Sequence, residues 1–273
     1  MDAYNEIMPE IHYEQIPLKN LTAGQGYQRN ISITHVKRAV ANFDPYQINP
    51  VKVSRRNGIN YVVNGQHTIE ILAEKFGSRD IPVWCGIYDD LDYEKEADLF
   101  ANQQKYVKNL TPYEIFLANI EAGNDKQIFI KDIVEQYGLR ISSKKAPNVI
   151  CAIATLEDIF DKYGYSHLDS TIRLCAATWE GEENSFSSGM LKGLSRLLAT
   201  CGKDIDENIF KEKLGKYSIK EISRTAADRR AGSLGYAEAL LLFYNRKMKM
   251  PLELTRLYRQ TNTNKNLQAY DII

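Results

Sequence analysis

The feature that most constrains this chain is a sharp change of pattern between Tyr61 and Leu72. An apolar run ends at Asn64-Gly65, and apolar residues then recur at helical spacing. Residues 65–68 are therefore predicted to lie where a strand turns into a helix. The first N–H groups of a helix lack internal acceptors and carry the positive end of its dipole, so such a corner can hold an anion. A plain strand-to-helix turn is the alternative interpretation.

The first 110 residues mix strand and helix patterns. Strands are predicted at 11–16, 51–55, 59–63 and 81–87, and helices at 33–43, 66–76 and after residue 92. Asn57-Gly58 lies between two β-type runs, which is a strong hairpin signal. Gly77 is a predicted helix C-cap, and Asp92 is a predicted N-cap. This part of the chain is typical of a small α+β domain with a mixed sheet.

Strand patterns nearly vanish beyond Leu110. Thr111-Pro112 followed by Glu114 predicts a helix start. Further helical patterns cover 126–137, 146–163, 169–180, 187–200, 206–214, 218–230 and 234–245. We therefore expect an α+β domain over residues 1–110 and an all-α region over residues 111–273. The two patterns within 126–163 are compatible with a helix-turn-helix, and ordinary helix packing is the alternative.

Two polar segments accompany the corner. Tyr27-Gln28-Arg29 follows a glycine-containing loop just before the first predicted helix. Arginine is a natural fork for a phosphate or carboxylate, although a loop arginine can equally form a surface ion pair. The second segment, residues 100–112, places Asn102 and two lysines at a helix end.

Along the chain, the motifs follow one another as Y-Q-R, a helix, an N-G hairpin, the G-Q-H corner, an I-P-V strand, a helix and N-x(7)-L-T-P. In this order they resemble the elements of the ParB/sulfiredoxin-like superfamily over about residues 10–120. The chain looks most like ParB-like nuclease-domain proteins of mobile elements and phages. The resemblance implies that the corner binds the phosphate of a nucleotide or nucleic acid. The implied binding residues are Gln28, Arg29, Asn64, Gly65, Gln66, His67, Thr68 and Asn102.

The chain departs from the superfamily pattern at the corner itself. Thr68 stands where the family has an arginine, and Asn64 replaces a frequent aspartate. Threonine can hydrogen-bond a phosphate oxygen but supplies no charge, and a charge-assisted bond is roughly twice as strong. Arg29, Lys105 or Lys108 would have to supply the charge, or the site is degenerate.

Enzymatic activity is left open by the sequence. A sulfiredoxin reaction needs a nucleophilic cysteine at the corner, and Cys85 lies instead in the next predicted strand, so this activity is rejected. His67 and Asp90 are weak catalytic candidates for a nuclease or nucleotide hydrolase. Asp90 belongs to an acidic cluster with Asp89 and Asp92, for which a capped, solvated turn is the favoured interpretation over a metal site.

Charge is unevenly distributed along a chain whose formal net charge is zero. Residues 216–273 carry 11 basic and 5 acidic side chains, a net charge of +6. A basic segment can contact phosphates, and a solvated helical surface is the alternative. The candidate DNA-binding residues are Lys144, Lys145, Lys220, Arg224, Arg229 and Arg230.

Four scattered cysteines without a C-x-x-C pair indicate a reducing compartment. The sequence shows neither a signal-peptide pattern nor a membrane-spanning run, so we expect a cytoplasmic protein. The first hypothesis is a ParB-like DNA-associated protein that binds a nucleotide (CTP or ATP, with Mg²⁺) or DNA, with helices that bind DNA or form a homodimer. The alternatives are a phosphodiesterase, nuclease or nucleotide hydrolase, and a catalytically silent interaction module.

Overall fold

The computed structural model describes residues 9–89, 91–103, 105 and 108–258 of the 273-residue chain. Its contacts divide the chain into two units, Met1–Asn109 and Leu110–Ile273. The first unit combines a sheet with helices, and the second is helical apart from one pair of two-residue strands. The predicted fold class, an α+β domain followed by a helical region, is confirmed. No described helix has both the length and the apolar character needed to cross a lipid bilayer.

A five-stranded mixed sheet organises the first unit. Its strands are β1 (His12–Pro17), β2 (Leu21–Thr22), β3 (Val51–Arg56), β4 (Ile59–Asn64) and β5 (Pro82–Tyr88). Their spatial order is β1-β5-β3-β4-β2, with β1–β5 and β3–β4 antiparallel and β3–β5 and β2–β4 parallel. The predicted hairpin joins β3 to β4, where Asn57 and Gly58 have φ values of 52° and 76°. Two positive φ values in succession are what a type I′ turn requires.

The described residues of this unit also form three α-helices: α1 (Ile33–Ala41), α2 (Gln66–Phe76) and α3 (Tyr93–Asn102). On α2, Ile69 and Leu72 are buried against the core strands, where Val53 and Val62 have no exposed surface. Side chains alternate along a strand, so Arg56 projects from the face opposite to that of Val53. Helix α3 lies against that opposite face.

A buried carboxylate attaches α3 to the sheet. The Glu96 side chain is fully buried, and its two oxygens lie 2.5 Å and 3.2 Å from Nε and Nη2 of Arg56. The Tyr27 hydroxyl donates to Oε2 of Glu96 at 3.2 Å. Burial raises the pKa of Tyr27, and the Glu96 charge raises it further, so the phenol keeps its proton as a donor. Removing one partner of a buried ion pair costs on the order of 3–5 kcal/mol because the other is left unpaired.

The second unit is built from α4 (Pro112–Glu121), α5 (Asp125–Glu135), α6 (Ile153–Tyr163), α7 (Tyr165–Trp179), α8 (Ser188–Cys201), α9 (Glu207–Leu214), α10 (Ile219–Arg229) and α11 (Gly232–Asn245). The predicted start of α4 is confirmed by a complete capping box between Thr111 and Glu114. Helices α8 and α11 pack very closely, because a Cβ at Gly193 would lie 2.4 Å from the Tyr236 side chain.

The segment between α5 and α6 corrects the predicted helix start at Ala146. Pro147 disfavours helical geometry at the preceding residue, and Asn148 has a left-handed φ of 59°. Residues 136–152 instead carry a parallel pair of short strands, β6 (Arg140–Ile141) and β7 (Val149–Ile150). A helix-turn-helix has a turn of about three to four residues, so this long connection is not of that type.

Gly65 alone separates β4 from α2. Its φ of +112° and ψ of 10° are left-handed, a region that L side chains rarely adopt. A Cβ at this position would lie 3.1–3.3 Å from Cγ2, Cγ1 and Cα of Val51 in β3. The sharp corner predicted from the sequence therefore depends on glycine for both its backbone angle and its space.

We predict that Gly65→Ala lowers the free energy of unfolding by about 2–4 kcal/mol, combining positive-φ strain with overpacking against Val51. Gly77→Ala is the matched control, because Gly77 also has a positive φ (63°) but nothing lies within 4 Å of its Cβ position. Urea unfolding of both variants measures the difference. Equal losses would show that the contact with Val51 contributes nothing.

Candidate functional site

The N-terminus of α2 presents backbone N–H groups at the end of the sheet. The Ile69 N–H donates to the Gly65 carbonyl at 3.0 Å, which closes the first turn of the helix. By helix geometry, the preceding N–H groups of Gln66, His67 and Thr68 have no acceptor within the helix. Gly65 has no side chain to cap them. These N–H groups and the positive end of the helix dipole can therefore bind an anion.

The segment 28–32 lies against this first turn. The Gln66 side chain is mostly buried and donates from Nε2 to the Arg29 carbonyl at 2.8 Å. The Ser32 backbone N–H donates to Nε2 of His67 at 3.1 Å. Ser32 is the N-cap of α1, where its side chain accepts from the His35 N–H at 3.3 Å. The starts of α1 and α2 thus meet at one hydrogen bond.

Arg29 supplies positive charge beside this junction. Its side chain is exposed, and its guanidinium has no carboxylate partner in the described part of the chain. Its charge reaches the corner, because Arg29 contributes, after burial, to lowering the pKa of His67. The guanidinium is therefore available to an external anion.

Gln28 has a positioning role in the structure. Its Oε1 accepts from the N–H groups of Gly24 at 2.7 Å and Gln25 at 3.1 Å, and its Nε2 donates to the Val62 carbonyl at 2.5 Å. Both ends of the amide are thus engaged in holding the loop on β4. A direct phosphate contact by Gln28, as the superfamily resemblance implies, would compete with these bonds.

His67 is held as a neutral imidazole. Because its Nε2 accepts from Ser32, the ring proton resides on Nδ1. Burial lowers the pKa of His67, with further lowering by the charges of Arg29 and His35. The His35 ring lies edge-on to it with centroids 5.4 Å apart. The one basic nitrogen is thus already engaged, which does not favour His67 as a general base.

The remaining predicted phosphate residues lie in two places. Asn64 ends β4 and Thr68 is the third residue of α2, both half-buried and beside the corner. Asn102 lies in the last turn of α3, where its amide donates to the carbonyl and side chain of Asp98 at 3.1 Å and 2.8 Å. The structure therefore gathers residues 28–29 and 64–68 into one region, while the amide of Asn102 is engaged within its own helix.

The acidic cluster has structural partners where it is described. Asp89 lies 3.3 Å from Nδ1 of His12, and Asp92 caps α3 by accepting from the Lys95 N–H at 2.8 Å. Asp90 lies outside the described residues. Among the residues that are described, no group of three or more His, Cys, Asp or Glu side chains is placed to hold a metal ion. Cys85 is fully buried in β5, where burial raises the pKa of its thiol to about 11.

The candidate DNA-binding residues have different environments. On α10, Lys220 and Arg224 are exposed one turn apart. Lys144 is also exposed, and Lys145 Nζ donates to the Asn184 side chain at 3.2 Å beside a cavity of about 270 Å³.

Arg229 and Arg230 converge instead on the carboxylate of Glu238. Their Nε atoms lie 2.9 Å and 3.1 Å from its oxygens, and the Tyr258 hydroxyl donates to Oε1 at 2.7 Å. The Glu238 side chain is only 2% exposed, so both arginines are engaged by an interior group. The one sequence feature that could indicate this buried ion pair is Glu238 itself, a glutamate within an apolar helix.

Sequence reasoning missed two residues that shape the corner. Ser32 joins α1 to His67 through its backbone, and Glu96 holds Tyr27 of the Y-Q-R segment. Ser32 carried a weak signal as an N-cap residue type before an apolar stripe. Glu96 carried none, because a glutamate in a charged helical pattern is typical of a solvated surface.

Comparison with known proteins places the chain in one family. A family model described as "Family of unknown function (DUF6551)" matches residues 23–251, so the chain belongs to this family. No curated protein matches it. Among solved structures, it is similar to the C-terminally truncated chromosome-partitioning protein ParB from Caulobacter crescentus complexed with CTP-gamma-S. That similarity has 13% identity and a TM-score of 0.36, and it covers 84% of this chain and 98% of that chain. Such a score does not establish a common fold.

The neutral state of His67 leads to a pH prediction. Because the pKa of His67 is lowered in the folded state, the unfolded chain binds more protons at this residue. The contribution of neutral His67 to the stability of the fold is therefore complete above the ordinary pKa of 6.5. This contribution is lost as the pH falls through the pKa of the folded state. We expect the wild type to lose stability relative to His67→Gln between pH 7 and pH 5. Urea unfolding across this range measures it, and parallel curves would contradict it. His167, whose pKa burial also lowers, is present in both proteins and cancels.

Proposed function

We propose that this member of the DUF6551 family binds a phosphate group of a nucleotide or nucleic acid at the corner formed by Gly65 and α2. The observation that carries the proposal is the meeting of two helix N-termini beside an arginine that has no carboxylate partner among the described residues. The starts of α1 and α2 are joined by the bond from Ser32 to His67, and Arg29 lies next to them. Backbone donors and a guanidinium together form the kind of environment that phosphate oxygens prefer.

The expected affinity is modest. A helix N-terminus contributes about 0.3–1 kcal/mol to the binding of an anionic group at low ionic strength. A charge-assisted bond to Arg29 contributes about 1.5–3 kcal/mol. Thr68 can add a hydroxyl but no charge. A degenerate site that serves only as an interaction surface is the alternative that Thr68 favours.

The ligand class follows from the same groups. A triphosphate such as CTP or ATP, or a DNA backbone phosphate, presents oxygens suited to this corner. Mg²⁺ would arrive bound to the triphosphate, because the described residues offer no three-ligand group of their own. The resemblance of the motif order to the ParB/sulfiredoxin-like superfamily supports this ligand class and a phage or mobile-element origin. The proposed compartment is the cytoplasm, in keeping with four free cysteines.

In this proposal the helical unit provides the DNA contacts or self-association. Lys220 and Arg224 are its most available candidates because both are exposed on one face of α10. Arg229 and Arg230 would have to leave the buried carboxylate of Glu238 to meet DNA. Hydrolysis is the weaker alternative, because Nε2 of His67 is already engaged.

We predict that Arg29→Gln weakens phosphate-ligand binding about tenfold, the loss expected from one charge-assisted contact. Arg38→Gln, an equal change at an exposed position of α1, serves as the control and should bind as the wild type does. Fluorescence titration with labelled CTP, ATP and duplex DNA measures the affinities. Absence of binding to all three ligands by the wild type would refute the proposed function.

We predict that Thr68→Arg tightens the same binding about tenfold, because it restores a charge at the third residue of α2. Thr68→Lys is the comparison variant, since it adds the same charge without the bidentate fork and should gain less. Phosphate release with Mg²⁺ or Mn²⁺, measured in parallel, tests for hydrolysis. Unchanged affinity in Thr68→Arg would mean that residue 68 does not face the ligand.

A further inference from the structure

The helical unit contains a second concentration of positive charge, separate from the residues predicted to bind DNA. A cavity of about 360 Å³ lies beside α6 and α8 and the start of α11. Its lining includes three cationic side chains, Lys162, Lys192 and Arg196. Asp158 is the one carboxylate of the lining, so these side chains carry a net charge of +2.

The three cations are not equally compensated. Lys192 Nζ forms an ion pair with Asp158 at 2.7 Å. Arg196 donates from Nε and Nη2 to the Leu257 carbonyl, at 3.0 Å and 2.7 Å, and has no carboxylate partner among the described residues. Lys162 lies 4.8 Å from the ring centre of Tyr163 and forms no ion pair within the described part of the chain. Among the described residues, Lys162 and Arg196 therefore line the cavity without a carboxylate partner.

Two serines, Ser195 and Ser233, also line the cavity. Ser233 is the second residue of α11, a helix of 14 residues whose N-cap, Ala231, provides no side-chain cap. Ser195 is almost fully buried, and its hydroxyl lies 3.0 Å from Nε2 of His167. Burial lowers the pKa of His167, so this ring adds no charge of its own. The cavity therefore combines two cations that have no carboxylate partner among the described residues with two serines and a helix N-terminus.

We infer that this cavity binds a phosphate-bearing ligand. A phosphate with two negative charges matches the net charge of the lining, and the guanidinium of Arg196 has a further nitrogen, Nη1, to donate. The volume falls within the range of small-ligand sites, about 300–1,000 Å³, and is larger than a single ion needs. The phosphate can belong to a free polyphosphate or nucleotide, or to a nucleic-acid backbone. This inference does not rest on the Gly65 corner.

The test compares the wild-type full chain with Arg29→Gln, and then adds each cavity variant to the Arg29→Gln background, in which the Gly65 corner is weakened. Inorganic pyrophosphate binding is measured by calorimetry, and binding of a fluorescein-labelled DNA duplex by anisotropy at fixed salt. Lys162→Glu should weaken pyrophosphate binding by about tenfold or more, as expected for reversing a charge at a phosphate contact. Lys249→Glu makes the same charge change at an exposed residue outside the lining and should leave affinity unchanged.

The outcomes separate this inference from the proposed function. Binding that survives Arg29→Gln and is lost on adding Lys162→Glu supports the cavity. Binding that is lost with Arg29→Gln alone places the phosphate at the Gly65 corner and overturns the cavity. Equal affinities in Lys162→Glu and Lys249→Glu also overturn it. When the cavity is supported, competition by the duplex identifies a nucleic-acid phosphate, and its absence identifies a free phosphorylated ligand. Lys192→Gln repeats the test if Lys162→Glu does not fold.

Discussion

The close approach of Gly65 to Val51 is the constraint on which the first unit depends. Because residue 65 has no side chain, the backbone can pass against β3 and turn within one residue from strand to helix. The first turn of α2 then emerges directly at the end of the sheet. Gln66 and His67 in that turn hold the carbonyl of Arg29 and the amide of Ser32. The position of the candidate anion site thus follows from one missing Cβ.

The parts of this fold that follow from local chemistry could be predicted from the sequence. Asn57-Gly58 determines a type I′ turn, and Thr111 with Glu114 forms a capping box, because both involve residues within a few positions of each other. The strand order could not be predicted, since it depends on pairings between distant segments. The strand β2 is too short to show a period. The apolar periodicity predicts a helix from Ala146, but Pro147 disfavours helical geometry at the residue before it, and α6 begins only at Ile153.

The candidate site, too, could be predicted only in part from the sequence. The order of motifs along the chain groups residues 28–29 with residues 64–68, and the structure brings them together. The amide of Asn102 is instead engaged within its own helix. Charge was the least predictable property, because a sequence shows a cation but not its partner. Arg229 and Arg230 share a buried glutamate, whereas Arg196 is held by a backbone carbonyl and has no carboxylate partner in the described part of the chain. The availability of a cation, rather than its presence, distinguishes a binding surface from an internal ion pair.

The attachment of the segment before α1 has a consequence for the divergence of related chains. Tyr27 forms a hydrogen bond with α3, Gln28 with β4, and the backbone of Arg29 and Ser32 with α2. Successive residues of this segment are thus attached to different elements of the fold. An inserted or deleted residue would shift the residues on one side of it out of these contacts. In the hairpin turn, by contrast, a Cβ added at Gly58 would have no neighbouring atom within 4 Å. Length variation among relatives should therefore accumulate at the hairpin and be excluded from the short stretch between β2 and α1.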